Sequence, residues 1–97
     1  MTLPISHADL ASYENEAILI LEDLTSDWED LDAKITRTTK LIDELGFESI
    51  DVVHLITAIE QKFDRRDLPF EKLLMIDGRY KDDITVNEIA SFLHEHL

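Results

Sequence analysis

Leu45-Gly46-Phe47-Glu48-Ser49-Ile50-Asp51 is the stretch on which the reading of this chain turns. A glycine is followed three positions later by a serine that has Glu48 before it and Asp51 after it. Immediately beyond, Val52, Ile56, Ile59 and Phe63 recur at spacings of four, three and four, with Val53 and Leu55 widening the apolar stripe. That period predicts a helix opening at Ser49 and ending near Phe63 or Asp64. Its many β-branched residues lower intrinsic propensity, so burial must hold it in place. Ser49 is too small and polar to be wanted for packing, and its hydroxyl is expected to stand exposed on the first turn. A helix N-terminus offers free N–H groups and a partial positive charge, so a phosphodiester attached at Ser49 would lie in a favourable field.

Working outward, Met1 to Ile5, with Pro4, reads as a loose tail. Ser6 and Asp9 suggest a cap for a first helix near residues 7–25, whose apolar face is Leu10, Ala17, Ile18, Leu21 and Leu24. A long connection then runs to Glu48. Within it Ser26 and Glu29 are placed to cap one short turn that pins Trp28 and Leu31 to the core, making Trp28 a structural anchor rather than a ligand-stacking residue. After a polar break at Asp64 to Asp67, Pro69 opens a short helix from about Phe70 to Met75, and Asp77-Gly78 makes a turn. Thr85 and Glu88 form a capping box for a last helix to about His96, with Val86, Ile89, Ala90 and Leu93 at helical spacing. The expectation is an all-α fold: three main helices plus one short helix, with a long first loop, forming a single domain over residues 1–97.

Composition narrows the function. The 97 residues include only two glycines, two prolines and no cysteine. This excludes a disulfide framework and a thiolate metal site and fits a reducing compartment. The longest apolar run, Ala17 to Leu21, is too short to span a bilayer, and the start lacks the basic and apolar regions of a signal segment, so a cytoplasmic location is expected. Net charge is −13, and no Lys or Arg precedes Lys34. Nucleic acid and anionic membrane surfaces are therefore poor partners, while proteins with basic patches are good ones.

The seven-residue run resembles the prosthetic-group attachment site of acyl carrier proteins, Leu-Gly-x-Asp-Ser-Leu. The resemblance extends over Thr36 to Phe63, with Leu41, Val53, Leu55, Ala58, Ile59 and Glu60 matching the family pattern, and resumes from Ile84 to Leu93. It implies a four-helix bundle of acyl-carrier type, monomeric, and a carrier rather than an enzyme. By the same resemblance, a phosphopantetheinyl transferase attaches 4′-phosphopantetheine to Ser49, beside Glu48 and Gly46, the glycine permitting a tight backbone approach. The arm then holds acyl groups as thioesters for enzymes of fatty-acid, polyketide or other specialised acyl metabolism. Candidates for the acyl cavity are Val53, Ile56, Ile59 and Met75 or Ile76. Candidates for partner recognition are Glu48, Ile50, Asp51, His54, Thr57, Glu60 and Asp64.

Several positions depart from the family pattern. Glu48 stands for the usual Asp, Ile50 for Leu, His54 for a frequent Glu and Thr57 for a larger apolar residue, while Gln61 and Lys62 replace further acids. The stretch from Asp64 to Asp83 is longer than in a typical fatty-acid carrier and brings Arg65, Arg66, Arg79 and Lys81. These changes point to a specialised carrier, and the short tails suggest a free-standing one. The Gly-Gly-His-Ser-Leu form of peptidyl carriers is absent. Other chemistries fit less well. Serine-nucleophile catalysis would need a base, and His54, five positions on, is turned about 140° around the helix from Ser49. His94 and His96, two apart, point to different sides of a helix, and Asp77-Gly78 with Asp82-Asp83 lacks the alternation of a calcium loop, so no metal is expected. The rival from another class is an acidic helical interaction module without a prosthetic group. It explains charge and helices but not the serine behind Leu-Gly-x-acid.

Overall fold

The computed structural model describes residues 9–28 and 34–97. Helix α1 (Leu10–Leu24) is capped by Asp9, whose carboxylate accepts the Ser12 backbone N–H at 2.9 Å. The sequence pattern places this start near residue 7 with Ser6 as cap. The helix instead begins one residue after Asp9, and Ser6 lies outside the described residues. At the other end the buried Thr25 hydroxyl donates to the Leu21 carbonyl at 2.8 Å. The Ser26 hydroxyl, expected to cap a short turn, donates back to the Asp23 carbonyl at 3.0 Å. Glu29 and Leu31, the other members of that expected turn, are outside the described residues. Trp28 is half-buried against the core, its ring 5.5 Å from that of Phe47.

Helix α2 (Ser49–Phe63) and helix α4 (Val86–His96) have the bounds read from the sequence. Thr85 and Glu88 form the expected capping box, with Glu88 N–H to Thr85 Oγ1 at 3.2 Å and Thr85 N–H to Glu88 Oε1 at 2.9 Å. The core centres on α1 and α4, where Ala17, Leu21, Ile89 and Leu93 are essentially inaccessible and the two helices pack most extensively. Helix α2 packs against α1 and buries Leu55 and Ile59, and Lys62 reaches Glu16 at 3.3 Å.

Between α2 and α4 the short helix α3 (Glu71–Leu74) is followed by a feature absent from the all-helical expectation. Strands β1 (Met75–Ile76) and β2 (Arg79–Tyr80) pair antiparallel around Asp77 and Gly78. Both turn residues have positive φ, 52° and 79°, the geometry of a two-residue hairpin loop whose twist suits paired strands. Helix α3 is shorter than the expected Phe70 to Met75 because Met75 is already extended, at φ −124° and ψ 151°.

The long first loop is tied down by the segment before α4. Leu41 N–H donates to Ile84 O at 2.9 Å, and Val86 N–H donates to Thr39 O at 3.1 Å. The Asp83 carboxylate accepts N–H groups from Ile42 and Asp43, each at 2.9 Å, and from Ile84 at 2.7 Å. Burial pushes the Asp83 pKa up, but these three donors and the Lys40 charge outweigh it and hold the group below the ordinary carboxylate value. A depressed folded-state pKa stabilises the fold above the unfolded value and loses that contribution as pH falls through the folded value. Asp83→Asn is therefore expected to lower stability by about 1 kcal/mol near neutral pH, read as a reduced urea midpoint. The gap from wild type should close in acid, below the usual carboxylate range. A gap that persists unchanged there would show that the carboxylate charge is not what holds the loop.

Candidate functional site

The approach to Ser49 is a short helical turn ended by a left-handed residue. Gly46 has φ 73°, and its N–H donates to Ile42 O at 3.1 Å while Phe47 N–H donates to Leu41 O at 3.0 Å. This is a helix-terminating αL motif, in which a side chain would be strained. A Cβ built on Gly46 meets no atom within 4 Å. The glycine is thus required by its backbone angle, not by the close approach expected from sequence. Phe47 then turns into the core, and extended Glu48 caps α2. Asp51 reaches back to accept the Glu48 N–H at 2.8 Å, which fixes the first turn on which Ser49 sits.

Ser49 is exposed and lies on the wall of a cavity of about 600 Å³. Of the acyl-cavity candidates, Val53 and Ile56 line this space; Ile59, Met75 and Ile76 do not. Ile59 is wholly buried in the core, and Ile76 is 60% exposed on the hairpin. Val53 belongs to the rim rather than the buried stripe, at 53% exposure. The remaining apolar wall is Ile42, Phe47, Val52, Leu74 and Ile84, and the hairpin side contributes Tyr80 and Lys81. Ile42 and Ile84 come from loops, and Tyr80 and Lys81 depend on the hairpin, so no periodicity in the sequence marks them. Val52 and Leu74 were legible only as generic apolar positions.

Lys81 is held in place. Its N–H donates to Leu74 O at 2.9 Å, and its Nζ meets Glu88 Oε2 at 3.1 Å. Burial pushes the Glu88 pKa up, but the Thr85 N–H and the Lys81 ammonium outweigh it and keep the carboxylate ionised below its ordinary value.

The candidates for partner recognition are spread along α2. Glu48, Ile50, His54, Thr57 and Asp64 are exposed, while Asp51 and Glu60 are half-buried. Asp64 ends the helix in the left-handed conformation. His54 does not face Ser49. It lines a separate cavity of about 260 Å³ with Trp28, Phe47 and Asp51, and no histidine among the described residues lines the Ser49 cavity. His94 lies against Tyr13 and His96 against Phe92, so the two do not converge. No helix among the described residues is long and apolar enough to cross a membrane.

The site can therefore hold a covalent substituent on an exposed serine, beside an apolar space that no histidine among the described residues lines. A family model described as a phosphopantetheine attachment site matches residues 20–77. An acyl carrier protein of Campylobacter jejuni is 36% identical over 70 residues, covering 70% of this chain and 86% of that protein. The acyl carrier protein of Campylobacter lari gives the same figures, and that of Campylobacter curvus is 33% identical over 69 residues, covering 69% and 84%. No solved structure matches.

Because Gly46 is constrained by φ alone, Gly46→Ala should lower stability by about 1 kcal/mol, and Gly46→Asn by less, since Asn tolerates the left-handed region. Urea midpoints for the three proteins check this. Equal midpoints would mean that the turn does not need its positive φ.

Proposed function

The chain belongs to the acyl carrier protein family, and on that premise we propose that Ser49 is the attachment point of its prosthetic group. The protein is a carrier rather than an enzyme, and its cofactor is covalently bound 4′-phosphopantetheine, whose thiol holds acyl groups as thioesters. An acidic interaction module without a prosthetic group would leave this membership unexplained. The observation that carries the assignment of Ser49 is its position: an exposed hydroxyl on the first turn of α2, on the wall of a mainly apolar cavity. The N–H groups of Ser49 and Ile50 have no intrahelical partners, which favours an anionic ester there. Gly46 and Glu48 set the backbone that presents the hydroxyl.

Around that anchor, Val53 and Ile56, joined by Phe47, Val52 and Leu74, are the walls against which an acyl chain rests. Glu48, Ile50, Asp51, His54, Thr57, Glu60 and Asp64 form the surface read by a phosphopantetheinyl transferase and by acyl-handling enzymes with basic docking patches. The carrier works in the cytoplasm as a monomer. It serves a specialised acyl pathway, of fatty-acid, polyketide or related type, rather than housekeeping fatty-acid synthesis. His54, Gln61 and Lys62 support this, since they make the α2 surface less acidic than the family pattern, and Thr57 makes it less apolar.

Incubation of the apo protein with coenzyme A and a broad-specificity transferase, followed by intact mass measurement, tests the attachment. One phosphopantetheine per chain is expected for wild type and none for Ser49→Ala. Loading of the alanine variant would assign the wrong residue, and no loading by any of several transferases would overturn the proposal.

A further inference from the structure

Lys81 is the one residue among the described residues that lines both the cavity beside Ser49 and a second cavity of about 480 Å³ between α3 and α4. Glu88, which holds its ammonium at 3.1 Å, lines the second cavity and not the first. The ammonium is therefore held beside the second cavity, while the residue also borders the first. Its side chain is only 20% exposed. Both ends are fixed: the backbone by the bond to Leu74 O, and the head by a glutamate already locked into the Thr85 capping box. Behind the residue the walls are mixed, with Lys72, Asn87, Glu88 and Glu95 lining the second space beside Leu73 and Phe92.

From this geometry we propose that the Lys81 stem is the end wall of the acyl cavity and sets the length of acyl chain that the carrier shelters. The proposal rests on reading the cavity beside Ser49 as the acyl site. Each methylene placed against Phe47, Val52, Ile56 and Leu74 gains from leaving water, up to the stem. A longer chain must break a part-buried ion pair, desolvate the charged groups of the second space, or turn back into solvent, and each of these is unfavourable. The selected cargo is thus an acyl group short enough to end within the first cavity. The hairpin of β1 and β2 acts here as a positioning device, since it delivers Lys81 to the boundary.

The test loads the full chain from acyl-coenzyme A thioesters of increasing even chain length, from butyryl to palmitoyl, with a broad-specificity transferase. The lifetime of each thioester against hydroxylamine is then measured. For wild type, protection should rise by about fourfold per sheltered methylene and then stop rising at a defined length. In Lys81→Ala that limit should move to longer chains. Glu88→Gln keeps the capping box but loses the ionic hold on Lys81, and should move the limit in the same direction by less. Circular dichroism confirms folding, and if Lys81→Ala is unfolded the Glu88→Gln result alone decides. An unchanged limit in the folded variants overturns the end-wall role while leaving the cavity reading intact. No dependence on chain length in wild type overturns both, and failure to load at Ser49 is seen separately by mass.

Discussion

The Asp83 carboxylate accepts N–H groups from Ile42 and Asp43, about forty residues earlier in the chain, and from its neighbour Ile84. The rest of the site depends on this clasp. Among its described residues, the loop that leads to Ser49 has no regular secondary structure beyond short turns, and a free loop would pay a large ordering entropy. Asp83 caps that turn from outside, and the exchange between Thr39–Leu41 and Ile84–Val86 fixes its distance from α4. Once residues 40–45 are set, Leu41 and Leu45 enter the core, Gly46 reverses the chain and Phe47 seals the base of α2. The exposed position of Ser49 is the outcome of those steps. An acidic chain is well suited to such a device, because a carboxylate satisfies several backbone donors at once.

Much of this was legible in the sequence where the signal is local. The Thr85–Glu88 box marks the start of α4, and the four-three-four spacing marks α2 to within a residue at both ends. The proposed attachment serine stands out in the sequence for a different reason, since an apolar residue, a glycine, an acid and a serine at those offsets are a family pattern. What stayed hidden depends on long-range placement. Nothing local tells that Val53 faces solvent while Leu55 and Ile59 face the core, because the α2 stripe is wide and α1 covers only part of it. The hairpin was half visible, as an Asp-Gly turn. Its strands of two residues each are too short for an alternating pattern to register. Asp9 and Ser6 show a further limit, as two capping residues three apart leave the first turn ambiguous.

The departures from the family pattern acquire physical meaning once they are placed. Lys62 stands where an acid is usual, and it meets Glu16 across the contact between α1 and α2. Arg65 pairs with Asp67 in the turn after α2, and Lys81 pairs with Glu88 at the start of α4. Among the described residues, these three of the nine Lys and Arg side chains are thus engaged within the molecule, each with one carboxylate, so the excess of acids is unchanged. For exposed pairs such as Lys62–Glu16 the net stabilisation is small, on the order of 1 kcal/mol or less. Lys81 differs because its stem is largely buried and its partner is fixed by a helix cap. A lysine in that setting acts mainly through where its methylenes lie, and the charge serves to keep them there. The longer segment between α2 and α4 is then more than an insertion in a connection. By forming a hairpin it places a long, tethered side chain at the boundary of the Ser49 cavity, at a position that a plain loop would not fix.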